Sequence, residues 1–201
     1  MLAAAALVVV VGAATAALNV GAVSVEDIAA SPQSFGQGKL WLLVSSGLVV
    51  EKPLAFSMLS FAALAAVALF VCGARVFWVA AIAGHICSTL VVYLALAAYR
   101  LSEPEAFRRI VTSPDYGISA IAAAWLGAIA TIAWQERGST PARKLAIAVS
   151  CLAVALFAWT LRGTLNVLDS EHVLAFVIGI GIAGARLRTF AVARDLDPAT
   201  P

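Results

Sequence analysis

The chain has 201 residues, of which 63% are hydrophobic and 12% charged, with a formal net charge of +2. A soluble domain is about half apolar and about a quarter charged, so a mean hydropathy of +0.99 exceeds what one buried core absorbs and makes a lipid bilayer the expected solvent for much of the surface. The few charges form no basic block, which argues against a nucleic-acid partner.

Six apolar stretches are long enough to read as membrane-crossing helices: Leu2–Val23, Pro53–Cys72, Val76–Ala98, Gly117–Gln135, Lys144–Leu161 and His172–Arg188. The last is short, but Arg186 and Arg188 can snorkel at its end. The first contains AATAALNVGA, which resembles a small-residue cleavage site. It opens MLAAAALVVV without the Lys or Arg of a secretory signal, so a retained helix is expected. The longest polar segments are Ser24–Lys52 and Tyr99–Tyr116. No repeat or composition shift divides the chain, which predicts one transmembrane domain over residues 1–190 and a polar, disordered tail over 191–201. Cys72, Cys87 and Cys151 lie far apart inside apolar runs. No Cys or His spacing suits a metal, so the cysteines read as packing residues and neither metal nor cofactor is expected.

The loops give an orientation. Arg75, Arg137, Arg143, Lys144, Arg186, Arg188 and Arg194 fall on the side of the N-terminus, against Lys39, Lys52, Arg100, Arg108, Arg109 and Arg162 on the other. That small bias favours both termini in the cytoplasm. Glu26, Asp27, Glu51, Glu103, Glu105, Asp115, Asp169 and Glu171 share the outer side.

In six antiparallel spans, the fourth and sixth helices start at the same membrane face. Ser119, in Gly117-Ile118-Ser119, is expected about two residues into the fourth, and His172 at the start of the sixth. Ser113 or Asp115 would cap the fourth helix, with Pro114 in its first turn, and Asp169 or Ser170 would cap the sixth. Gly117 leaves room beside the hydroxyl, and free N–H groups around Ser119 and Ala120 could bind an oxyanion. A neutral imidazole at a helix mouth suits a general base. Below the pair, Ala122, Ala123, Gly127 and Ala130 on one helix and Ala175, Gly179 and Ala183 on the other form small faces that permit close packing. Taken singly, such a serine is most often a cap and such a histidine an interfacial residue. Their matched depth is what points to a nucleophile–base pair.

The second histidine, His85 in AIAGHICSTL, falls inside the third span with Ser88 and Thr89 one turn on. A structural hydrogen bond between helices is the plain reading, and a donor role at the Ser119 site is the alternative. Trp41, Trp78, Trp125, Trp134 and Trp159 suit interfacial or packing roles, and Asn19 and Asn166 suit span ends. Arg100, Arg108, Arg109, Glu103 and Glu105 read as a solvated loop face. Asp115 reads as a cap rather than a third catalytic member.

This pattern resembles the rhomboid family of intramembrane serine proteases, in which six helices hold a Ser–His dyad. The family's GxSG, opening the fourth helix, is matched by Gly117-Ile118-Ser119-Ala120, and its sixth-helix HxxGxxxG by His172, Ala175 and Gly179. KLWLLVSSGLVVEKP is similar to the stretch leading into the second rhomboid helix. The resemblance implies an all-α polytopic bundle with Ser119 and His172 as the dyad and Gly117 and Ala120 supporting the oxyanion. Transmembrane helices of other proteins would be its substrates, in a membrane that is bacterial by composition. Two features depart from the family. The second helix, PLAFSMLSFAALAAVALFVC, has neither the histidine nor the asparagine of the rhomboid His-x-x-x-Asn, and Leu42 follows Trp41 where an arginine is usual. Three functions therefore stand open: an active protease, a pseudoprotease that binds membrane-protein clients, and a small transporter subunit. The third is disfavoured because His85 is the single ionisable residue in a span interior.

Overall fold

The computed structural model describes residues 2–50, 52–135, 138–160 and 167–196, and these form helices and turns with no strand among them. The helices are α1 (Leu2–Asn19), α2 (Val25–Ile28), α3 (Pro32–Gly36), α4 (Leu42–Ser45), α5 (Leu54–Ser102), α6 (Pro104–Ile110), α7 (Ser119–Gln135), α8 (Pro141–Thr160) and α9 (Val167–Leu196). A 3-10 turn, Ser46–Leu48, follows α4. Of the described helices, α5 is long and apolar enough to cross a membrane; Ala4–Asn19 and Ser119–Gln135 are shorter apolar helices.

The 49 residues of α5 contain one break, at Gly73, whose φ of +77° lies where L side chains are strained. The chain folds back there. Phe61, before the break, and Phe77, after it, both stack on the Trp125 ring, with centroids 5.3 and 4.6 Å away. Sixteen residues of straight helix would hold them about 24 Å apart. The break thus separates the stretches read above as Pro53–Cys72 and Val76–Ala98. The carbonyl of Cys72, next to the break, accepts from Arg186 of α9.

Trp125 is the centre of the core. It is 1% exposed, and its indole N–H donates to the Phe77 carbonyl at 2.9 Å. Trp125→Phe removes that bond and leaves a cavity where the larger indole packed. A loss of about 2–4 kcal/mol is expected, readable as a lowered melting temperature in detergent. Trp41 and Trp134 are exposed, as interfacial residues would be.

Glycines set the distance between the central helices. A Cβ on Gly127 of α7 would stand 2.0 Å from the Phe176 carbonyl oxygen, and one on Gly179 of α9 would stand 1.9 Å from that of Ala124. A Cβ on Gly84 of α5 would meet the Ala124 side chain at 2.2 Å. Gly127, Gly179, Ala175 and Ala183 are buried as the small-face reading expected. On α7, however, the packed face runs through Ala120, Ala124 and Ala128, whereas Ala122, Ala123 and Ala130 are only half-buried.

Helix starts differ from the sequence expectation. Polar residues do not stop a helix that packing supports, and α9 begins at Val167, five residues before His172. Asp169 and Ser170 are therefore inside its first turn rather than N-caps. In contrast, α7 begins only at Ser119, so Ser113, Pro114 and Asp115 precede the helix and do not cap it. α9 continues through Leu196, into the segment read as a polar tail. Cys72 is buried, but Cys87 and Cys151 are exposed and are not core packing residues. Glu51, Arg137, Arg162 and Asn166 lie outside the described residues, as do the side chains of Arg109, Trp159, Arg188 and Arg194.

The polar loop between α1 and α5 is folded. The Asp27 carboxyl accepts from both the N–H and the hydroxyl of Ser24, which holds it below its usual range, and Ser31 and Ser34 bond reciprocally one turn on. The Thr15 hydroxyl of α1 accepts from the Val50 N–H at 3.1 Å, and Leu42, Leu43 and Val49 are buried. This loop is tied to the segment before α7 at two places. Ala30 and Asp115 exchange backbone hydrogen bonds at 2.9 and 2.8 Å, and the Gly117 N–H donates to the Ser46 carbonyl at 2.7 Å.

Candidate functional site

Three helices meet where α7 starts. The loop holds Gly117 in a conformation with φ +135°, which places Ser119 as the first residue of α7. Ser119 is exposed, whereas Gly117 and Ala120 on either side are buried. A Cβ at position 117 would lie 3.6 Å from Ser119 Oγ, so the glycine keeps one flank of the hydroxyl open.

The structure brings Ser119 and His172 together. Nε2 of His172 lies 2.8 Å from Ser119 Oγ, although 53 residues separate them. The contact follows from the glycine-limited crossing of α7 and α9. His172 reaches it from the second turn of α9 rather than the first, which moves the imidazole away from the helix's positive end. With the ring proton on Nδ1, Nε2 accepts the serine proton. The first intrahelical bond of α7 runs from the Ala122 N–H to the Ile118 carbonyl at 3.0 Å. The N–H groups of Ser119, Ala120 and Ile121 therefore precede the ladder and point from the helix start.

Beside the serine is a groove of about 280 Å³, lined by Phe56, Ser57, Ser60, Leu64, Gly117 and Ala122 among others. Ser119 sits in its wall. Its floor is apolar, and Ser57 and Ser60, three apart on α5, add two hydroxyls. Sequence reading missed both serines because it sought a histidine and an asparagine on that helix. The available signal was two serines at helical spacing in an otherwise apolar run. A second groove, of about 290 Å³, lies over the loop between Glu26, Gln33, Lys39 and Pro114 and includes neither Ser119 nor His172.

His85 takes another role. It is 7% exposed, with Nε2 3.3 Å from the Ser46 hydroxyl, so it binds the 3-10 turn rather than a neighbouring helix. That turn fits closely, since a Cβ on Gly47 would stand 2.6 Å from the same nitrogen. The Ser46 carbonyl in turn receives the Gly117 N–H, so His85 supports the loop under Ser119. Asp115 accepts from the Tyr93 hydroxyl at 3.0 Å. No group of three His, Cys, Asp or Glu side chains suited to a metal ion gathers among the described residues.

No family model, curated protein or solved structure matches the chain.

Proposed function

We propose that the chain is an intramembrane serine endopeptidase with a rhomboid-like six-helix arrangement, acting through Ser119 and His172 on transmembrane segments of other proteins. The observation that carries this reading is the 2.8 Å contact between an exposed hydroxyl at a helix start and an imidazole nitrogen, at the wall of an apolar groove. A bilayer setting is supported by apolar outer faces. Phe70 and Leu94 of α5 are each 62% exposed, and Leu152, Val154, Val173 and Val177 face outward on α8 and α9. Both termini would be cytoplasmic and the membrane that of a bacterial cell.

In this mechanism Ser119 Oγ attacks the scissile carbonyl while His172 Nε2 takes its proton, then returns it to the leaving amine. The free N–H groups at the start of α7 and the hydroxyls of Ser57 and Ser60 are the donors available to the oxyanion. Water then attacks the acyl-enzyme carbonyl as His172 takes its proton, and His172 returns that proton to Ser119 Oγ as the ester bond breaks, releasing the acid and the free serine. The test is labelling of the purified full chain by a fluorophosphonate. Oγ–P forms, P–F breaks, fluoride leaves and the serine proton passes to His172. Labelling of the native chain that disappears in Ser119→Ala supports the reading. No labelling, under conditions where a control serine hydrolase reacts, rejects it.

A second reading is favoured by one observation. The first half of α5 holds no histidine or asparagine beside the groove, and losing an oxyanion donor slows acyl transfer by about 10²–10³-fold. A client-binding pseudoprotease would keep the fold and groove and capture the same transmembrane helices with Ser119→Ala as with the native chain.

A further inference from the structure

One buried polar side chain takes no part in the dyad chemistry and yet carries the loop beneath it. His85 stands in the second half of α5, an apolar helix, where a buried polar ring costs free energy unless it is hydrogen-bonded. Its Nε2 is 3.3 Å from the hydroxyl of Ser46, which is itself 1% exposed. The ring edge also lies against Gly47. A Cβ there would stand 2.6 Å from Nε2 and 2.7 Å from Cδ2, so a side chain at 47 and the imidazole at 85 exclude each other. The 3-10 turn is thus seated on the histidine by a hydrogen bond and by direct contact.

The turn hands that position on to the nucleophile. The Ser46 carbonyl accepts from the Gly117 N–H at 2.7 Å, and Ser119 opens α7 two residues later. The Ser119 N–H precedes the helical ladder, so the place of this residue depends on the loop that leads into it. His172 arrives separately, from α9. We propose that His85 is a positioning residue for the nucleophile: through Ser46 and Gly117 it fixes the approach of Ser119 to His172. This inference rests on the dyad reading above. Removing the imidazole leaves the buried Ser46 hydroxyl without its partner and the turn without its seat, and the displacement passes through one backbone bond to the start of α7.

The test compares two amides at position 85 in the purified full chain in detergent. A glutamine amide reaches the level of Nε2 and can bond the Ser46 hydroxyl in either direction, whereas an asparagine amide, one methylene shorter, stops short of it. Saturating fluorophosphonate labelling separates the maximal rate, kinact, from probe binding, KI. His85→Asn is expected to lower kinact about 100-fold, the effect of shifting one reacting group by about 1 Å, with KI within about twofold of native. His85→Gln should bring kinact back to within about fivefold. Ser46→Ala removes the other end of the bond and should lower kinact at least about tenfold, with little further loss when His85→Asn is added. Hydrogen exchange of the Gly117 N–H reads the same link without chemistry, and it should quicken in His85→Asn but not in His85→Gln. Native kinact in His85→Asn, equal losses in the two amides, or a loss carried by KI alone overturns the inference. If His85→Asn does not fold, Ser46→Ala decides, and native kinact there overturns it. A native chain that does not label rejects the dyad reading and the positioning role with it. A native chain that labels, beside unchanged Gly117 exchange in His85→Asn, rejects the positioning role alone.

Discussion

Ser119→Ala is expected to reduce fluorophosphonate labelling to background, and peptide cleavage by on the order of 10⁴-fold or more. The nucleophilic oxygen is gone, so no weaker reaction replaces it. Stability should change little, because Ser119 is exposed at the end of a helix and its replacement leaves the buried packing of Ala120 and Ala124 intact. His172→Ala differs in a useful way. The hydroxyl survives but has lost the base at 2.8 Å, so slow labelling above the Ser119→Ala background should remain. Residues that act as one unit are not additive, and the double variant should be no worse than Ser119→Ala alone. Thermal unfolding beside each labelling rate separates lost chemistry from lost fold. Full labelling of Ser119→Ala would move the reactive serine elsewhere and end the dyad reading.

The sequence carried the helical stretches well because their signal is physical and local. A backbone in apolar surroundings has to bond within its own segment, so long apolar runs become helices. The break in α5 fell at Gly73, between two of those runs. Helix starts were less legible. VLDSEH reads as a loop with a cap, yet it continues α9, because Glu171 finds Thr89 and Ser88 in the folded chain and needs no solvent. The meeting of Ser119 with His172 was readable from the one GxS and a histidine expected at the matching end of another apolar helix. The surroundings of that pair were not. No pattern in the sequence assigns Glu171 to Thr89, 82 residues away, although His85, Thr89 and Tyr93 recur every four residues and mark a polar stripe on one side of an apolar helix. The packed face of α7 was also misjudged, since its Ala-rich run offers small residues in every direction and only the partner helix decides among them.

Gly179→Ala is the second large effect, and it tests the geometry rather than the chemistry. A new Cβ would stand 1.9 Å from the Ala124 carbonyl oxygen and 2.8 Å from its carbon, both backbone atoms that no rotamer change can move. Ordinary contact is about 3.5 Å, so α7 and α9 must part by roughly 1 Å or more where they cross. That crossing carries Ser119 on one helix and His172 on the other, seven residues from Gly179. Labelling is expected to fall about 100-fold, and stability by about 1–3 kcal/mol through overpacking. Gly127→Ala should behave alike, because its Cβ would meet the Phe176 carbonyl oxygen at 2.0 Å from the opposite helix. Gly181→Ala is the control on the same helix. Nothing lies within 4 Å of its Cβ, so the change should leave labelling unaltered and stabilise α9 by about 0.5–1 kcal/mol through helix propensity. If Gly179→Ala and Gly181→Ala label and melt alike, the close crossing does not set the dyad distance. If they diverge as expected, glycine at 127 and 179 is what lets two backbones come near enough for a serine and a histidine to share a proton.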